Sequence, residues 1–480
     1  MRGRPLPGGI NPPAHSLMER AAMERAAGLS PWVVLFLITA VVGCSFYANL
    51  SLLVKDSALY RFFPPFQRNV NRNHNDHLGA EYYSIARAIV AGRGYADPFR
   101  AETGPTAWMA PVLPCLLAGL HWVTGGDKEA VTALMILLQD LALIASGIMV
   151  VALTRRFTGW VWAPAMLYVA AIVFHFRHSF QFTHDCWLIL LTLNLFVAGL
   201  VWTRPLEGSW RRAAAWGVFG GFCALVSPVL GFVWGIFAVA TGVPRGRRLR
   251  FGVAVTVSIL TITPWVVRNY LVFGRFIPVK SNLVYELYQS QCQQPGGVLK
   301  NDIFSYHPYA SNNAERRKYK QLGETAFLDE KRDKFWQSVR ANPRDFADRV
   351  ANRFFAATLL YAPFSEAEET RRPAIIWLSR IVYPLPFLAM MLLALRAAWR
   401  PLPAEHWVVI GAYLSYLLPY VVVSYYDRYK YPLLAIEVLL VFFAAQTVFA
   451  WLPRLRRDAV VEVAVEVGTE ARRQRKRVCP

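Results

Sequence analysis

Long apolar runs alternate along this chain with short clusters of arginine and lysine, and that alternation predicts helices that cross a membrane. A helix needs about 20 apolar residues to span the roughly 30 Å hydrocarbon layer, and the run 31–54 supplies them. Further runs cover 130–153, 161–176, 186–202, 213–243, 251–267, 374–395, 407–423 and 431–451. Basic residues in short loops mark the cytoplasmic side. Arg2, Arg4, Arg20 and Arg25 precede the first run, so it leaves from the inside. No small-residue cleavage site follows it, which makes it an anchor and not a removed signal. Arg155-Arg156, the clusters at 204–212 and 245–250, Arg396 with Arg400, and Arg454 with Arg456 and Arg457 then fall inside in turn. The run 213–243 is basic at both ends, so it must return as a hairpin, with its break at Ser227-Pro228. This threading gives ten crossings with both termini inside. The apolar piece 108–123, interrupted and flanked by Pro105, Pro111 and Pro114, is expected to lie on the outer leaflet.

Composition agrees with the pattern: 55% of the residues are hydrophobic and the mean hydropathy is +0.29. A net charge of +21 would raise the question of nucleic acid in a soluble domain. Here inside loops and a basic tail account for it, and no nucleic-acid partner is expected. Six cysteines are scattered without CxxC pairs or metal-ligand spacing. The expected fold class is an all-α polytopic membrane protein of about ten or more transmembrane helices, with outer juxtamembrane helices and a small helical outer domain. Its parts are a cytoplasmic segment 1–30, a transmembrane module 31–267 that carries an outer loop 55–129, an extracytoplasmic region 268–372, C-terminal helices 373–453 and a basic tail 454–480. The outer region should hold one helix over 312–341, stopped at Pro343, and another over 346–360.

Candidate chemistry collects on the outer side of this threading. Leu78, Tyr82, Ile85 and Ile89 recur at helical spacing, and Gly92 and Gly94 end the pattern. Asp76 therefore stands at or just before a helix start, where a carboxylate serves as a cap or, held at a membrane surface, as a general base. Glu81 is its rival as base. His74 and His77 flank Asp76, as tuning groups or polar surface; no metal site is assigned, and a divalent metal is left open. Asp185 precedes the run 186–202 as a cap or as a second carboxylate converging on the first loop. Arg268 stands at the outer mouth of 251–267. Arg428 and Lys430 occupy a short outer loop, where two cations call for a reason; a phosphate at headgroup depth would supply one. Asp140 and Glu437 lie deepest in the apolar runs and are either satisfied by polar neighbours or used in transport.

Taken in order, the pieces Asn75-Asp76, Tyr82-Tyr83-Ser84-Ile85-Ala86, Gly92-Arg93-Gly94-Tyr95, Gly104 to Pro111, His184-Asp185, Pro264-Trp265 with Arg268-Asn269-Tyr270, Phe273 to Pro278, His307-Pro308 through Gly323-Glu324, and Arg428-Tyr429 form a pattern. In it the chain resembles the GT-C superfamily of membrane glycosyltransferases, in particular members similar to bacterial protein O-mannosyltransferases and the aminoarabinose transferase of lipid A. The resemblance departs in one respect: Asp76 precedes the helix aromatic Tyr82 by six positions, not four, and is followed by His77 and not by a second acid. It implies a polyprenyl-phosphate sugar donor in a cell inner (plasma) membrane, a glycan, lipid or protein acceptor, and an acidic first-loop residue at the catalytic centre. That role falls on Asp76, with Asp185 in support. Transfer would proceed with inversion, with Arg268 and Arg428, and Lys430 beside them, at the donor phosphate. The alternative is a multi-pass transporter or lipid flippase.

Overall fold

The computed structural model describes residues 29–53, 74–100, 102–244, 246–310 and 314–451. The N-terminal basic segment, most of the loop stretch before Asn73 and the arginine-rich tail, for which the sequence makes expectations, lie outside the described residues. Regular structure among the described residues is helical, with β-pairing limited to isolated bridges between Ala96 and Pro105 and between Val298 and Tyr425. Six of the helices are long and apolar enough to cross a membrane, and three shorter apolar helices accompany them. Ten crossings are expected, two of them the short helices of a hairpin; among the described residues six helices have the length and apolar composition of a span. The runs at 161–176 and 213–243 yield helices of 13, 17 and 15 residues. At 1.5 Å per residue these cover only about 20–26 Å each. The run 108–123 forms a helix of 12 residues.

The chain divides into two compact units, Met1–Trp234 with Gly242–Lys280 and Gly235–Thr241 with Ser281–Pro480. In the first, α1 (Pro31–Leu53), α2 (Glu81–Val90), α3 (Val112–Val123), α4 (Lys128–Thr158), α5 (Trp162–Phe174), α6 (Phe176–Phe180), α7 (Cys186–Thr203) and α8 (Trp210–Val226) follow in order. The helix α9 (Pro228–Gly242) passes from one unit's residues to the other's, and α10 (Arg248–Phe273) completes the first unit. The long helix α4 is the spine, packing against α1, α5 and α7. It opens on Asp127, whose side chain accepts from the Glu129 amide, and closes on Gly159 at φ 76°, a left-handed end that glycine adopts without strain. Tyr168 of α5 donates to the Leu143 carbonyl at 2.7 Å, tying α5 to that spine.

The break between α8 and α9 falls where the sequence expects it, at Ser227, which is extended (φ −159°, ψ 132°) before Pro228. Gly217 and Gly221 lie one turn apart on α8 and let α10 approach. A Cβ on Gly217 would sit 2.4 Å from the Ala254 carbonyl oxygen, and one on Gly221 2.8 Å from that of Ser258. Small residues at this spacing allow backbone contact between apolar helices that share little else to hold them. The end of α10 differs from expectation. It runs past Arg268 to Phe273, through Pro264, and stops at Gly274 (φ 64°).

In the second unit α11 (Leu283–Tyr288) precedes two polar helices, α12 (Ala314–Ala341), which stops before Pro343 as expected, and α13 (Pro343–Thr358), which starts three residues earlier than expected. Gly323 interrupts α12 with φ 74° and ψ 168°. There follow α14 (Ala367–Arg371), α15 (Pro373–Val382), α16 (Leu385–Ala397), α17 (Ala404–Val422), a 3-10 stretch (Asp427–Leu433) and α18 (Leu434–Trp451). The apolar core of this unit is made by α16 and α17 against α18. Arg353 of α13 is 1% exposed. It donates to the carbonyls of Val421 (2.7 Å) and Val422 (2.9 Å) and to the Ser290 hydroxyl (2.6 Å). A cation thus satisfies the last carbonyls of α17, which have no partner within their own helix.

Candidate functional site

Asp76 sits on a 3-10 turn, Asn75–His77, and is exposed. It does not cap the helix that follows. Leu78, Gly79 and Ala80 intervene with φ of 50°, 73° and 49°, and α2 begins at Glu81 on Ala80, without a side-chain cap. Positive φ at two non-glycine residues in a row of three is costly, and such backbone persists where its surroundings over-determine it. Here the surroundings are visible. Asn75 is 1% exposed and uses both ends of its amide: Nδ2 donates to the Phe180 carbonyl (2.8 Å) and to Asn49 Oδ1 (2.6 Å), while Oδ1 accepts from the Thr183 hydroxyl (2.9 Å). The His74 amide donates to the Gln181 carbonyl at 2.9 Å. The turn that carries Asp76 is clipped along its length to the segment 180–183.

That segment leads directly to Asp185. The residue has the position of a cap on α7 but makes no capping bond. Its Oδ2 accepts instead from the Tyr82 hydroxyl at 2.8 Å, across 103 positions of sequence. The carboxylate is half-buried. The structure thus brings the Asp76 turn and Asp185 together through Asn75 and Tyr82. Glu81, the rival base, opens α2 and is half-buried. His74 packs its ring on Phe182 (5.0 Å between centroids) and near His77 (5.4 Å). Among the described residues no group of three or more His, Cys, Asp or Glu side chains is placed to hold a metal.

Arg268 was expected at a helix mouth facing a phosphate. It lies within α10, and its guanidinium donates to the carbonyls of Thr106 (2.7 Å) and Tyr95 (2.7 Å) and to Asn269 Oδ1 (3.0 Å). Three rings surround it, those of Trp265, Tyr95 and Phe273, at 5.1, 5.3 and 5.7 Å. The glycine-containing pieces 92–95 and 104–111 meet on this arginine. Asp97, which the sequence did not single out, knots the loop between them. Its 3% exposed carboxylate accepts from the Thr103 and Gly104 amides (2.9 and 3.0 Å) and from Arg93 Nε (2.8 Å). The available signal was an acid between two glycine turns, a place where aspartate holds backbone amides.

In the second unit Arg428 lies on the 3-10 stretch with its guanidinium over the rings of Tyr426 (5.1 Å) and Tyr429 (5.8 Å). Glu286 accepts from the Ser424 hydroxyl at 2.7 Å and faces the Tyr429 hydroxyl at 3.3 Å. Lys430 departs from its expected role. It is 4% exposed, its Nζ lies 3.3 Å from Glu437 and donates to the Tyr383 carbonyl at 3.1 Å, and the Tyr383 ring is 3.5 Å away. The deep acid Glu437 and the loop cation Lys430 are each other's partners, as two charges in an apolar bundle must be. Asp140, the other deep acid, lies within α4 and is half-buried.

No known protein family, curated protein or solved structure matches this chain.

Proposed function

We propose that the protein is an integral membrane glycosyltransferase that moves a sugar from a polyprenyl-phosphate donor to an envelope acceptor on the extracytoplasmic side. The observation that carries this reading is the clip between the Asp76 turn and the segment leading to Asp185. It joins the turn that exposes Asp76 to the segment that leads to Asp185 at the start of the apolar α7, and neither carboxylate makes a capping bond. In this reading Asp76 takes the proton from the acceptor as its oxygen or nitrogen attacks the anomeric carbon, and the lipid phosphate departs with the bonding pair. Phosphate is a good leaving group, so no general acid is demanded. Asp185, held by Tyr82, supports the acceptor side. Arg268 anchors the 95–106 loop while adding positive charge to that end of the first unit. Arg428 is the candidate phosphate cation of the second unit, and Lys430 serves its fold.

The test is glycan transfer in native membranes, with wild type, Asp76→Asn and a deletion at matched levels and with envelope glycolipids and glycoproteins read by mass spectrometry. A sugar absent from both the deletion and Asp76→Asn, with the variant folded, supports the reading and names the acceptor. A sugar lost on deletion and retained by Asp76→Asn moves the base to Glu81. A glycan profile that the deletion leaves unchanged sinks transfer altogether in favour of transport.

A further inference from the structure

The clip does not end at Asn75. Asn49 of α1, whose Oδ1 receives the Asn75 amide, donates from Nδ2 to the Ser45 carbonyl (2.9 Å) and hydroxyl (3.4 Å) one turn deeper in the same helix. Ser45, Asn49, Asn75 and Thr183 are all buried, at 4%, 2%, 1% and 2% exposure. Buried polar side chains in series are costly one by one and stable only when each is satisfied. The series has a direction: it begins inside the candidate membrane span α1 and ends at the residue next to Asp76.

We infer that Ser45, Asn49 and Asn75 form a positioning ladder, in which the buried Asn49 of α1 fixes the register of the strained turn that presents Asp76. Asn75 supplies the last rung, and its bonds to Phe180 and Thr183 set the turn against the Asp185 segment. The consequence for transfer rests on Asp76 being the base; the consequence for the order of the turn does not.

Backbone hydrogen exchange in the full-length protein in lipid nanodiscs tests the ladder without an activity assay. The amides of His77, Leu78 and Ala80 are bonded within the turn, to His74, Asn75 and His77. Leaving a buried partner unsatisfied costs on the order of 1–3 kcal/mol, so Asn49→Leu, which removes the acceptor of the Asn75 amide, should speed exchange of the 74–80 peptide by about tenfold. Leu141→Ala, on the exposed side of α4, should leave exchange alone. The ladder is overturned if Asn49→Leu exchanges like wild type, or if Leu141→Ala loosens the turn as much as it does. Transfer measured on the same variants separates the two readings. Fast exchange with undiminished transfer keeps the ladder and removes Asp76 as base, whereas unchanged exchange with transfer lost only in Asp76→Asn does the reverse.

Discussion

Gly79 is the residue on which the candidate site is most narrowly balanced. Its φ of 73° favours glycine, and a Cβ there would lie 2.8 Å from Cδ2 of Tyr82, the tyrosine that holds Asp185. Gly79→Ala should therefore lower stability by about 1–2 kcal/mol from backbone strain alone and push the Tyr82 ring off Asp185. A melting temperature and transfer rate both equal to wild type would show that the turn is not held as described. The two cations of the 3-10 stretch make a contrasting pair. Lys430→Met strands Glu437 in the bundle and should cost about 3–5 kcal/mol, while adding Glu437→Leu should recover most of it. Arg428→Ala loses ring contacts at a half-buried position and should cost about 1 kcal/mol. Thermal unfolding of the three variants decides the matter: a Lys430→Met protein as stable as Arg428→Ala would mean that the buried pair does not form.

Helix limits show how far local sequence reaches. The break at Ser227-Pro228 and the stop before Pro343 were legible because proline fixes φ and removes a donor, whereas the next helix starts at Pro343 itself and not at Phe346, since proline is tolerated in a first turn whose N–H groups are unpaired anyway. The end of α10 was not, because Arg268 counts as a polar stop in any hydropathy pattern, yet its guanidinium is satisfied sideways by carbonyls more than 160 positions earlier and the helix continues to Gly274. The cap expected of Asp76 failed for a related reason: three left-handed residues, only one of them glycine, separate it from α2. The charge-rich helix α12 carries its own prediction. Burial alone would raise the Glu330 carboxyl, but bonds from Lys318 and Lys334 and the charge of Lys331 outweigh it and hold it down to about 2. A depressed carboxylate stabilises fully above its ordinary value and loses that contribution as pH falls from about 4.5 through about 2. Hydrogen exchange across 314–341 should accelerate over that window in wild type and less steeply in Glu330→Gln. Parallel acid profiles for the two would assign the acid loss to other carboxylates.

At the scale of the whole chain, the sequence shows that there is a membrane bundle more clearly than how often it crosses, and α5 is where the two part company. Thirteen residues are too few for a span, so by length alone the turn at Gly159 and the segment before Asp185 belong on one side. The packing argues otherwise. The chain leaves α4 at Thr158, touches it again where Tyr168 meets Leu143, and again where Gln139 donates to the Ser179 carbonyl. From Thr158 back to Gln139 is 19 residues of α4, or about 28 Å at 1.5 Å per residue, close to the thickness of the hydrocarbon layer. The short α6 and its flanks finish what α5 leaves incomplete. Single cysteines at Arg156 and His178, in a background without the six native ones, should therefore label from opposite faces of the membrane with an impermeant maleimide. Position 178 should label in intact cells together with His77, and position 156 only after permeabilisation. Labelling of 156 and 178 from the same face would fold α5 into one leaflet. If both labelled only after permeabilisation, the Asp76 turn clipped to 180–183 would lie on the cytoplasmic side, where the proposed extracytoplasmic transfer has no place to occur.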